Sequence, residues 1–325
     1  MKKMKAPSIK TNQKFSVANF IGLSALVILI VVIGVINNRF FLPQNITDML
    51  VSLSTLLVLG CGMTFVLLTG AIDLSIGAIY ASCSVLLTLM MSDGMGAFSF
   101  VLAILFGIGA GALNGILYTK LRIPSFITTL GTMNIWQSFA LLVSGSVPLQ
   151  VKPDNYWMID FAKINLGVIP LLFVIALAVF VVAYLIQKYT KFGRYTFAVG
   201  ANERSARLAG VNVDKVKITT MLFAGLCAAI AGIMITAKLK SGIPTVGDAV
   251  TLQVIAACAL GGTALAGGKG NILFALLGCA IVVVINNGMN MVGVDMTMQQ
   301  VVFGSLVIAA VCLTADRSRK EQIIK

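Results

Sequence analysis

The chain has 325 residues, of which 58% are hydrophobic and only 11% charged, whereas soluble domains average about 25% charged; this excludes an ordinary water-soluble globule. Basic residues outnumber acidic ones, 24 to 11, and histidine is missing altogether. The missing histidine excludes Ser-His-Asp catalysis, Cys-His nucleophiles and His-ligated metals.

In chain order, apolar runs occupy 20–36, 49–69, 74–91, 98–118, 124–143, 168–186, 218–237, 250–265, 272–288 and 298–314. Most approach the ~20 residues that cross a ~30 Å hydrocarbon core. They are continuous rather than alternating, and lipid offers the backbone no hydrogen-bond partners, so they predict helices and not barrel strands. The expected fold is an all-α polytopic membrane protein with about ten transmembrane helices.

The first run follows a basic tail and lacks a small-residue cleavage site, so it reads as an anchor and not as a removed signal peptide. The expected division is a cytoplasmic tail at 1–19, a transmembrane domain at 20–315 with a long loop at 188–217, and a second cytoplasmic tail at 316–325. With the amino terminus inside, 19 of the 24 basic residues fall on inner segments. This positive-inside bias places both termini in the cytoplasm. The net charge of +13 therefore reports topology and not nucleic-acid binding.

Met49 to Met91 would run about 65 Å as one helix, so the segment must fold into a hairpin. Gly70 supplies the break. Asp73 then stands where it can cap the helix beginning near Leu74, accepting from the amides of Ser75 or Ile76. Three roles stay open for this carboxylate: the cap, a gate beside a solute path, or a proton relay. Asp93, Asp154, Asp160, Asp248 and Asp295 all map to outer loops or helix ends, which leaves a relay without a chain of acids.

Uncharged polar residues inside the apolar runs are candidates for a solute path: Ser75, Asn114, Thr128, Thr129, Asn134, Gln253, Asn286 and Asn287. Each could instead make an interhelical hydrogen bond. The loop at 144–167 lies outside and carries Tyr156 and Trp157, which favour the membrane interface. The loop at 187–217 lies inside. In it Asn202 can cap a short helix, with Glu203 in the first turn and Gly210 as the stop; a solvated basic loop and a docking element for a cytoplasmic partner both fit.

The stretch "GGTALAGGKGN" (261–271) is glycine-rich but is not a Walker A, because Thr263 and Gly270 stand where that motif needs Gly and Ser or Thr. It weakly echoes the stretch around Gly70, as internal repeats of transporters do. The six cysteines occur singly within apolar runs and read as packing residues, not as metal ligands.

Five stretches together, "MTFVLLTGAIDLSIGA" (63–78), "PSFITTLGTM" (124–133), "GRYTFAVGANERSARLAGVNVDKVK" (193–217), "IAACALGGTALAGGKGN" (255–271) and "NNGMNMVGV" (286–294), resemble the membrane-spanning permease subunits of ribose-type sugar importers of the ABC class. The resemblance runs from about residue 45 to 315. It implies a permease pair, homo- or heterodimeric, around a central path in the bacterial cytoplasmic membrane. It also implies two cytoplasmic ATP-binding subunits that hold ATP and Mg, and an extracytoplasmic sugar-binding protein. The chain itself would carry no catalytic residue, cofactor or metal. Coupling to the ATPase would fall to Gly200, Asn202, Glu203, Arg204, Ala209 and Gly210. One departure stands out: Val250, Thr251, Leu252 and Gln253 replace the family's Tyr-Glu-Leu-Asp, so two acidic positions are neutral here. The expected function is import of a monosaccharide or related small polar solute by alternating access. The alternative is an ion-coupled secondary transporter with Asp73 as its buried carrier.

Overall fold

The computed structural model describes residues 17–314; the expected tail at 316–325 and most of that at 1–19 lie outside the described residues. Helix α1 (Val17–Ile36) leads through a 3-10 turn at Asn38–Phe41 into α2 (Pro43–Leu68). Pro43 opens α2, where a missing N–H costs nothing and a fixed φ helps. Every residue of α2 from Leu56 onward is buried, and a helix apolar on all sides belongs at the centre of a bundle. Around it pack α7 (Leu171–Tyr189), α10 (Val213–Leu239), α11 (Val250–Leu260) and α12 (Ile272–Val292).

The remaining long helices are α3 (Ile76–Ser92), α4 (Phe98–Lys120), α5 (Ser125–Ser144) and α13 (Met296–Thr314). Small residues let the backbones of α4 and α10 approach closely: a side chain at Gly107 or Gly111 of α4 would fall on the α10 backbone at Gly225 or Met221. Such contacts replace the hydrophobic driving force that lipid withholds from helix association. In the core, Phe65 of α2 lies 5.4 Å from the ring of Phe192 and 5.1 Å from that of Phe223.

At one end of the bundle the connections form two short antiparallel ribbons and a single-turn helix, α6 (Tyr156–Ile159). Strand β1 (Leu149–Gln150) pairs with β4 (Ser241–Gly242), and β2 (Asn165–Leu166) with β3 (Ile169–Pro170). Trp157 is 73% exposed there. The opposite end carries α8 (Lys191–Ala201) and α9 (Glu203–Leu208).

Each of the ten apolar runs contains a helix, and α2, α4, α5, α7, α10 and α12 are each long and apolar enough to cross a membrane. The run at 250–265 departs most from expectation. Helix α11 has 11 residues, about 16 Å, roughly half a bilayer. The chain before it, 243–249, is non-helical and runs along α3, because Gly242 packs on Ser84 and Val85 while Gly247 packs on Gly77.

Candidate functional site

Toward the ribbon end, α2, α10 and α12 part around a cleft of about 310 Å³, closed from the sides by Tyr80 of α3 and by Val246, Val250 and Gln253. Its walls are apolar, with Leu56, Leu59, Val282 and Val283. Its polar groups are Ser52, Thr55, Gln253, Asn286, Asn287 and Asn290, with Lys238 at the edge. Lys238 stands 4.0 Å from Asp48, and none of the lining residues is a carboxylate. Three expected path residues, Gln253, Asn286 and Asn287, are thus brought together. Ser52, Thr55 and Asn290 complete the set without having been singled out, since one polar residue in an apolar helix has no face until the helix is packed.

The amides of the cleft are partly spoken for. Asn45 and Asn287 exchange hydrogen bonds across α2 and α12 (3.2 and 2.8 Å). Asn290 donates to Asn286 (3.3 Å) and accepts from Gln299 (2.7 Å). The Gln253 side chain bonds no described residue. Amides, hydroxyls and one ammonium on an apolar floor suit an uncharged solute rich in hydroxyl groups.

Asp73, Ser75, Asn114, Thr128 and Thr129 lie elsewhere, buried beside the link between α2 and α3. The Asp73 carboxylate accepts from the Ser75 amide (2.8 Å) and hydroxyl (2.6 Å), and Asn114 donates to that hydroxyl (2.7 Å). Thr129 accepts from the Leu74 amide and donates to the Ile72 carbonyl, both at 3.1 Å. The helix begins at Ile76 instead of Leu74, with Ser75 at its N-cap position and no side-chain cap bond; Asp73 stands two residues before the cap position and fixes the amide and hydroxyl of Ser75 instead. The network pins residues 72–75 to α4 and α5, outside the cleft. Asn134 is exposed on α5 and donates to Leu130 of its own helix (2.9 Å).

At the opposite end, Asn202 accepts from the Ser205 amide (2.9 Å) as the N-cap of α9. Gly210, at φ +83°, closes it. The Gly210 amide donates to Arg207 and that of Val211 to Ala206 (3.0 and 3.1 Å), the paired bonds of a Schellman stop. Ala206 is buried against Val199, Val213 and Val216. Glu203 is held by Lys217 (2.7 Å) and Arg207 (3.3 Å), and Arg207 also meets Asp214 (3.1 Å). Partial burial pushes the Glu203 carboxyl up, but Lys217 and then Arg207 outweigh it and hold the group below its ordinary range. Glu203 thus serves to anchor α9, whereas Arg204 and Leu208 point outward, Leu208 with 84% exposure. The sequence reading missed Leu208; its signal is a leucine that ends a six-residue helix in which Ala206 is the one other apolar residue.

Gly200 links this surface to the bundle. A side chain there would fall on the Leu68 carbonyl and the Gly268 amide, and that amide itself donates to the Leu68 carbonyl (2.9 Å). Gly267 packs on Gly70 in the same place. Gly70, Gly267 and Gly268 adopt φ of +77°, +85° and +74°, open to glycine at little cost. Three segments distant in sequence therefore meet backbone to backbone, including the two glycine-rich turns that echo one another.

An all-helical membrane bundle with a polar cleft toward one end and a capped, exposed helix at the other has the build of a permease. A family model described as "Branched-chain amino acid transport system / permease component" matches residues 45–311, and the chain belongs to this family. It is 36% identical to the ribose import permease protein RbsC of Bacillus subtilis, over 97% of this chain and 100% of that protein. It is 35% identical to the RbsC of Escherichia coli K12, over 89% and 91%. It is also 35% identical to the autoinducer 2 import system permease protein LsrC of Yersinia enterocolitica, over 82% and 74%.

Proposed function

We propose that the chain is the permease of an ATP-driven importer in the bacterial cytoplasmic membrane and that it carries a monosaccharide or a related small polyol. In this reading the ribbon end faces out and receives solute from an extracytoplasmic binding protein. The α9 end faces the cytoplasm and docks an ATP-binding subunit that holds ATP and Mg. A second permease chain completes the path. The observation that carries it is the glycine junction: α8, which leads into α9 and packs on it, rests on the end of α2 and on the turn before α12, and α2 and α12 line the cleft farther along. A push on α9 is thereby delivered to the helices that hold the solute.

Asn202 and Gly210 shape α9, Gly200 seats it, Glu203 anchors it, and Arg204, Leu208 and Ala209 form its docking face. The ion-coupled alternative is set aside: the chain belongs to a family of transport-system permease components, and Asp73, the buried carboxylate among the described residues, is held by the amide and hydroxyl of Ser75. The test is purification of the tagged chain with its ATP-binding subunit, with and without Glu203→Ala and Arg204→Ala together. The double variant is expected to lose the ATPase while remaining in the membrane. Retained ATPase with normal D-ribose uptake in that variant would remove α9 as the docking element.

A further inference from the structure

Residues 243–249 form a wall with two faces. Val246 looks into the cleft, as do Val250 and Gln253 just beyond, while Thr245 and Asp248 are exposed on the other side. The wall is wound as three loose turns, closed by bonds from Val246 to Ile243 (3.3 Å), Asp248 to Thr245 (3.2 Å) and Val250 to Gly247 (3.2 Å). Its depth is fixed by its contacts. Gly247 packs on Gly77, near the start of α3, and Gln137, well inside α5, donates to the Pro244 carbonyl (3.1 Å). From Val85 to Gly77 is about 12 Å along α3, so the segment runs well into the bundle.

Helix α5 continues the exposed surface. Gly131, Asn134 and Ser138 are exposed and share a helix face by their spacing. The Asp248 carboxylate makes no hydrogen bond or ion pair with any described residue. Irregular backbone at membrane depth persists only where protein covers it or water reaches it. Ionisable side chains at that depth likewise face a bundle interior or a water-filled cavity. Lipid cannot cover this strip.

We propose that Asn134, Ser138, Thr245 and Asp248 line a water-filled passage and that the Asp248 carboxylate accepts hydrogen bonds from hydroxyl groups of the transported sugar. The two oxygens of an ionised carboxylate are acceptors only, which matches a pair of neighbouring hydroxyls, and such charge-assisted bonds are the stronger kind. The assignment rests on the sugar-permease reading above, with the second permease chain as the opposite wall. It adds a solute-contacting residue where the neutral Thr251 and Gln253 supply no carboxylate.

The five described cysteines are all buried, which leaves a low background for thiol labelling once Cys312 is replaced by Ala. Asp248→Cys and, as an apolar control exposed on α5, Ile135→Cys would be placed in the importer assembled with its ATP-binding subunits in membrane vesicles. A charged, membrane-impermeant methanethiosulfonate is expected to modify the thiol at 248 at least about tenfold faster than that at 135, as water access requires. Modification at 248 only by a lipophilic maleimide, or by neither reagent, overturns the passage. In the same importer Asp248→Asn is expected to lower D-ribose uptake about tenfold with ATPase binding intact, the loss of one bond to a charged acceptor. Unchanged uptake overturns the solute contact. Failure of the unsubstituted importer to take up D-ribose counts against the sugar reading alone, and the labelling still decides the passage. Oxidative cross-linking between thiols at 134 tests the second chain separately.

Discussion

The two halves of α2 make a telling contrast. From Leu56 to Leu68 every residue is buried, with Leu56 and Leu59 forming part of the cleft's apolar floor, and at the end of the helix three segments meet through glycine backbones. Before that, Ser52 is exposed and Thr55 half-buried, and the helix faces amides that exchange bonds across helices or remain open to the cleft. The closed half is built from contacts that fit in one way only. The open half is built from side-chain hydrogen bonds, which can change partners at modest cost. A permease that opens its ends in turn needs a cleft lined by exchangeable bonds and a firm seat for the element that drives it.

The contrast can be broken by substitution. Gly200→Val places a side chain on the Leu68 carbonyl and is expected to cost about 3 kcal/mol, the upper end of overpacking. Thermal unfolding of the detergent-solubilised protein reads it, and an unchanged melting temperature would mean that the junction yields and is no seat. Asp73→Ala, which strips Ser75 of its acceptor, should cost about 2 kcal/mol. Asp73→Asn keeps an acceptor oxygen and should cost less than half of that.

In the open half the penalties shrink. Asn287→Ala breaks the reciprocal pair with Asn45 and should cost about 1 kcal/mol. Gln253→Leu removes a side chain with no described partner and should leave stability within about 0.5 kcal/mol, while raising the KM for uptake. A Gln253 variant that lost stability and kept its KM would reassign the residue to packing. The smallest effect concerns pH. Because the folded Glu203 carboxyl lies below its ordinary value of 4.5, the anchorage of α9 is complete above about that value. It is lost only as pH falls through the lowered folded pKa. ATPase binding should therefore be flat between about pH 6 and 8 as far as Glu203 is concerned, and Glu203→Gln should remove any acid-side loss.

Local chemistry made much of this legible. The ten apolar runs, the break at Gly70, the bond from the Ser75 amide to Asp73, and the short helix between Asn202 and Gly210 all rest on rules that act within a few residues. What escaped depends on tertiary placement. Asp248 reads as part of an outer loop because polar turn residues are normally expelled to water, yet Gly247 can reach Gly77 only if the turn lies within the bundle. Asn286 and Asn114 look alike in sequence; packing puts one in the cleft and the other in the Asp73 network. Glu203 reads as a docking residue until Lys217, fourteen positions on, is seen to hold it.

The glycine junction also sets a rule for building hybrids of such permeases. The residues that touch there come from 68–70, 200–201 and 266–268, and the nearest contacts of their glycines are backbone to backbone, so their fit is one of backbone path, which the glycines at 70, 200, 267 and 268 keep open. Swapping the cytoplasmic loop alone into a related chain would therefore succeed only where the recipient's two glycine turns follow the same course. The unit of exchange is the loop together with both turns.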